Sequence, residues 1–101
     1  MIETSTRSLL TIVTEAGLEA PLAAEFDARG LGYTVTDARG RGTRGRRASQ
    51  WAHSGNVRFE IVCDPGTAEA LAGHLHKQYF AHYAMILWMQ EVAVLRADKF
   101  V

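Results

Sequence analysis

Apolar positions recur along this chain with two periods. Residues 7–15 (RSLLTIVTE) form a short β-branched run with Leu10 and Ile12 on one face and Leu9 and Val13 on the other. Such a run predicts a central strand covered on both sides, and Gly17 ends it. Over 18–29 (LEAPLAAEFDAR) the period becomes helical: Leu18, Leu22 and Phe26 recur with Ala23 beside them. Pro21 fits the first turn, Glu25 and Arg29 are spaced to pair on the wet face, and Gly30 suits the C-terminal cap. A second strand is predicted over 33–38 (YTVTDA), with Tyr33 and Val35 facing one way and Thr34 and Thr36 the other. Residues 57–63 (VRFEIVC) alternate cleanly. Val57, Phe59, Ile61 and Cys63 share one face, opposite Arg58, Glu60 and Val62. Asp64-Pro65 then predicts a cap and first turn for a second helix that runs to about Tyr79 or His82. Its buried stripe is Ala68, Leu71, Ala72, Leu75 and Tyr79. A long last strand over 84–96 (AMILWMQEVAVLR) begins with an unbroken apolar run, which predicts cover on both faces there.

The order βαββαβ, with right-handed crossovers into one sheet, gives an α+β fold, the ferredoxin-like sandwich. We expect one domain over 1–101. Two helices cover only one face of a four-stranded sheet. Met85, Ile86, Leu87, Trp88 and Met89 stand in succession on the last strand, so covering the second face calls for other subunits.

Composition narrows the chemistry. The chain has 101 residues, 48 % of them hydrophobic, which suffices for a core. Its formal net charge of zero removes any global steering field. The single cysteine, Cys63, forms no internal disulfide and fits a reducing compartment. Residues 1–7 carry acid and hydroxyl groups without an apolar run, and no stretch approaches the ~20 apolar residues of a membrane span. A soluble, cytoplasmic protein is expected.

The charge is concentrated in one place. Residues 38–55 (ARGRGTRGRRASQWAHSG) hold Arg39, Arg41, Arg44, Arg46 and Arg47, five of the chain's eleven Lys and Arg residues, interleaved with Gly40, Gly42 and Gly45. Glycines let backbone N–H groups face outward, and arginines offer planar donor forks. Together they predict an anion site, most simply for phosphate. The segment contains no G-x-x-x-x-G-K-[ST] pattern. It joins two strands and opens no helix, which excludes a dinucleotide fingerprint.

Elsewhere the residues read plainly. His74 and His76 are two apart on a helix and cannot chelate together. His53 lies in the basic loop, where it offers one more donor, and His82 lies where a ligand could touch the handover from helix to strand. Cys63 reads as a small core residue. The carboxylates show no paired spacing, and Thr43 and Ser49 have no evident base partner. With no catalytic constellation, no enzyme is expected.

Several stretches resemble the PII signalling family. GYTVTDARGRGTRGRR from Gly32 resembles the entry to that family's T-loop, whose pattern is G-x-T-V-T-E-x-x-G-x-G. NVRFEIV over 56–62 and MQEVAVLR over 89–96 resemble its third and fourth strands. The resemblance implies a homotrimer that binds adenine nucleotide in clefts between subunits and signals through the loop, here about 40–55. By position, Gly32 and Thr34 would line the adenine side, with Val62 close to the base. Gly40 and Gly42 would bring backbone near the nucleotide. Thr43, Arg44 and Arg96 would meet phosphates. A typical member has a G-D-G-K motif before the last strand. Here Phe80, Ala81, His82 and Tyr83 stand there, which speaks against ATP triphosphate binding. Val94 replaces a second arginine, and the loop has no tyrosine to uridylylate. GRGTRGRR is more similar to PII-like proteins tied to inorganic carbon, a carboxysome-associated group and regulators of bicarbonate transporters. That resemblance implies ADP, AMP or a cyclic nucleotide as ligand, with bicarbonate beside it at Arg46 and Arg47. It also implies a carboxysome component or a transporter as partner.

A competing reading is an RNA-binding domain of the same βαββαβ order using its basic loop. It requires exposed aromatics on the first and third strands. The first has none, and the third has Phe59 on the face assigned to the core. A trimeric metal-tolerance protein of similar fold would need a convergent ligand set that the sequence does not offer.

Overall fold

A computed structural model describes residues 2–42, 45–46 and 55–101. The chain begins with strand β1 (Ser5–Glu15), then a short 3-10 turn (Ala16–Leu18), helix α1 (Glu19–Ala28) and strand β2 (Thr34–Ala38). Short strands β3 (Arg41–Gly42) and β4 (Gly45–Arg46) follow, then β5 (Asn56–Cys63), helix α2 (Pro65–Tyr79), β6 (Met85–Val94) and a second 3-10 turn (Ala97–Lys99). The main sheet runs β2-β5-β1-β6 and all its pairs are antiparallel. This is the ferredoxin-like sandwich, with β1 and β5 central. Instead of an unbroken loop, the basic segment carries a small hairpin that pairs Arg41 with Arg46 and Gly42 with Gly45.

The two-residue period decides what each face holds. Leu10 and Ile12 on β1 pair with Ile61 and Phe59 on β5, and all four are fully buried beneath the helices. Phe26 of α1 meets Tyr33 and Phe59 edge-on, with ring centroids 5.8 and 5.2 Å away. Leu22 of α1 and Ala68, Leu71 and Leu75 of α2 complete the core. Fully burying side chains of the Leu or Phe class contributes about 1.5–3 kcal/mol each. Gly30 ends α1 with φ at 70°, which glycine adopts freely.

Two local expectations are corrected. Asp64 precedes α2 but makes no side-chain cap. Its carbonyl accepts from the Ala68 N–H at 2.9 Å, while its carboxylate lies 3.5 Å from Arg7 Nε. Glu25 does not pair with Arg29 on the wet face. It turns toward α2, accepting from His74 Nε2 at 2.5 Å and from the Tyr79 hydroxyl. The start of β6 is not covered on both sides within this chain. Ile86 and Trp88, on the face away from the helices, are 41 % and 39 % exposed.

Candidate functional site

The sheet face opposite the helices presents rows set by strand register. One row runs Thr34, Glu60, Thr11 and Trp88 across all four strands. The next holds Thr36, Arg58, Val13 and Ile86. Arg58 is held in place by Glu60, with Nη2 to Oε2 at 3.4 Å, and by the Trp88 ring, 5.6 Å from its guanidinium carbon. Thr11 is fully buried between these neighbours, and among the described residues its hydroxyl has no hydrogen-bond partner.

At one end of this face lies a cleft of about 430 Å³. Leu9 of β1 and Glu60 and Val62 of β5 line its sheet side. Gly32, Tyr33 and Thr34, at the entry to β2, line another side, and Lys99 and Phe100 from the turn after β6 line a third. A Cβ built on Gly32 meets no atom within 4 Å, so packing inside this chain does not demand a glycine there. The cleft combines an apolar lining from Leu9, Val62, Tyr33 and Phe100 with one carboxylate and one ammonium. A flat polar ring bearing an anionic group fits such a site.

The structure brings Gly32, Thr34 and Val62 together in this cleft. Gly40 lies between β2 and β3, and Gly42 ends β3. Both are beyond the far end of β2 from Thr34, about 13 Å along the strand. Arg46 lies in β4 opposite Arg41. Thr43, Arg44, Arg47, Ser49 and His53 lie outside the described residues. Arg96 is exposed just past β6, with its backbone in the left-handed region at φ 55°.

Glu60, Lys99 and Phe100 were not singled out from the sequence. Glu60 was legible, since it stands two positions before Val62 on the same face. The other two reach the cleft only because Arg96 reverses the chain, which no local pattern announces. His82 sits in the turn between α2 and β6, its N–H donating to the Tyr79 carbonyl at 3.1 Å. That turn is fastened to β1, because Thr14 Oγ1 donates to the Ala84 carbonyl (2.8 Å) and the Ala84 N–H donates to Glu15 (3.0 Å). Burial pushes the Cys63 thiol up, and the Asp64 charge adds to it, so the thiolate is disfavoured. Among the described residues, no three His, Cys, Asp or Glu side chains converge as a metal set. No helix among them is long and apolar enough to cross a membrane.

Comparison with known proteins accords with this architecture. The family model for nitrogen regulatory protein P-II matches residues 7–99. The chain belongs to the PII family. A Thermus thermophilus chain designated a PII-like signalling protein is 38 % identical, with a TM-score of 0.81, over 99 % of this chain and 100 % of that one. CPII of Thiomonas intermedia, in its structure bound to ADP and bicarbonate, superimposes with a TM-score of 0.84 at 17 % identity, covering 100 % of both chains. The Bacillus subtilis GlnK–ATP complex gives 0.63 at 15 % identity, over 90 % of this chain and 85 % of that one. This PII-like regulatory chain therefore has the family's sheet, and its cleft lies on the face the helices leave open.

Proposed function

We propose that this PII-family chain is a non-enzymatic sensor of adenine nucleotide. In this reading it binds ADP or AMP in clefts between the subunits of a homotrimer, with bicarbonate beside the nucleotide, and signals through its Gly/Arg loop in inorganic-carbon metabolism. The observation that carries the reading is the cleft itself. Gly32, Thr34 and Val62, picked out by resemblance from separate parts of the sequence, line one cavity on the open face. The base lies against Val62 and Leu9, with Thr34 and Glu60 as polar partners for its edge. Gly40, Gly42, Thr43, Arg44 and Arg96 hold the phosphates, and Arg46 and Arg47 hold bicarbonate. Register sets Arg41 opposite Arg46. The CPII structures with ADP, AMP and bicarbonate supply the ligand classes to try first.

The turn at 80–83 carries no lysine and no glycine. A triphosphate thus gains no extra cation there, which favours ADP and AMP over ATP. The partner reading the loop is a carboxysome component or a bicarbonate transporter, in the cytoplasm. An RNA-binding role is disfavoured because Phe59 is fully buried in the core and the open faces of β1 and β5 bear no aromatic.

Calorimetric titration with AMP, ADP, ATP and cyclic AMP, each with and without bicarbonate, tests the proposal. The expected result is micromolar binding of ADP or AMP, tightened by bicarbonate. Silence from every nucleotide contradicts it and returns the loop to the reading of a docking surface.

A further inference from the structure

Arg7 does not line the cleft, yet its guanidinium makes three hydrogen bonds and its side chain is only 20 % exposed. Nε donates to the Phe100 carbonyl at 2.7 Å, and Nη2 donates to the Ala97 carbonyl at 3.2 Å. Nη1 donates to the Thr6 carbonyl at 2.9 Å, and Asp64 Oδ1 lies 3.5 Å from Nε. Arg7 therefore ties the start of β1 and the approach to α2 to a segment some ninety residues away in sequence.

That segment is a reversal of the chain. β6 ends at Val94 and Arg96 takes φ 55°. The Lys99 N–H then donates to the Arg96 carbonyl at 3.0 Å, and the Phe100 N–H to the Ala97 carbonyl at 3.1 Å. A non-glycine residue holds left-handed backbone only where its surroundings impose it, and such outliers gather at ligand sites. Here the two carbonyls held by Arg7 lie within the reversal that begins at Arg96, and the reversal delivers Lys99 and Phe100 to the cleft. Among the described residues lining the cleft, Lys99 is the one cation and Phe100 the one aromatic outside the sheet and the entry to β2.

We propose that Arg7 is the positioning residue of the cleft. By holding the carbonyls of Ala97 and Phe100 it fixes the turn that sets the Phe100 ring against the base of a nucleoside phosphate and Lys99 toward its phosphates. This rests on the nucleotide reading above. A planar fork suits the task because it reaches two carbonyls at once from one rigid group, which an ammonium does not reproduce. Without Arg7 the sheet side of the cleft stays in place, but its third wall is released.

The test measures ADP affinity by calorimetry for the full chain, Arg7→Ala, Phe100→Ala and the double variant, with amide hydrogen exchange read over 95–101. Each single substitution is expected to weaken ADP by roughly tenfold or more, the scale of a charge-assisted hydrogen bond. The double variant is expected to be no worse than the weaker single one. ADP should slow exchange over 95–101 in the parent and not in Arg7→Ala, a signature that a merely structural role would not produce. If Arg7→Ala does not fold, Arg7→Gln, which retains a donor, is read in the same way. Parent-like affinity in the Arg7 variant, or losses that multiply in the double variant, overturns the positioning role and leaves the nucleotide reading standing. A parent that binds none of ADP, AMP and ATP overturns both.

Discussion

Arg96 combines two properties that one substitution can separate. Its backbone holds a left-handed conformation at φ 55°, and its guanidinium is a proposed phosphate contact. An L side chain pays about 1–2 kcal/mol for that backbone, whereas glycine adopts it freely. Arg96→Gly therefore keeps the reversal while deleting the charge. The expected outcome is ADP binding weakened by ~1.5–3 kcal/mol, the range for a hydrogen bond to a charged group, with a melting temperature no lower than the parent's. Calorimetry and thermal denaturation read the two effects separately, and unchanged ADP affinity would remove Arg96 from the site. The distinction matters because Lys99 and Phe100 reach the cleft through this residue's conformation, whatever its side chain does.

The two helices are joined to each other as well as to the sheet. Glu25 of α1 accepts from both His74 and Tyr79 of α2. Burial raises the Glu25 pKa, but the hydrogen bonds from Tyr79 and His74 outweigh it and leave the carboxyl below its ordinary value. Burial and the bond to Glu25 push the Tyr79 hydroxyl up to about 12. The signs follow from linkage. A lowered carboxyl contributes stability above its unfolded pKa, and that stability fades as the pH falls through the folded value. A raised phenol contributes stability below its unfolded value near 10, and that stability is lost as the pH climbs toward about 12. Tyr79→Phe should therefore cost ~1.5–3 kcal/mol at neutral pH. It should also flatten the loss of stability in both acid and alkali, as read by urea unfolding across pH. A variant that keeps the parent's pH dependence would show that the tie contributes nothing. This tie also marks a limit of sequence reading. The i, i+4 spacing nominated Arg29 as the partner of Glu25, because spacing within a helix knows nothing of the neighbouring helix. Periodicity did locate every main-sheet strand and both helices to within a few residues, since burial against one layer imposes it.

For the assembled protein, the open face is the deciding feature. Ile86 and Trp88 are exposed there, and the cleft opens on the same side of the sheet. One chain covers one face, so the sequence could signal an uncovered surface but not the geometry of its cover. Part of the candidate site was legible in the same uneven way. Gly32, Thr34 and Val62 lie in or beside regular strands, where alternation and motif order carry information. Glu60 was overlooked, although the same alternation places it with Val62. Lys99, Phe100 and the hold of Arg7 depend on a single unusual backbone angle and on contacts between opposite ends of the chain. The claim on which the proposed function depends is that nucleotide binds in clefts completed by neighbouring subunits. Native mass spectrometry of the full chain with saturating ADP tests this most directly, because it weighs the assembly and counts its ligands together. The expected spectrum is a trimer carrying as many ADP molecules as subunits. A monomer, or a trimer that carries no ADP at saturation, would contradict it.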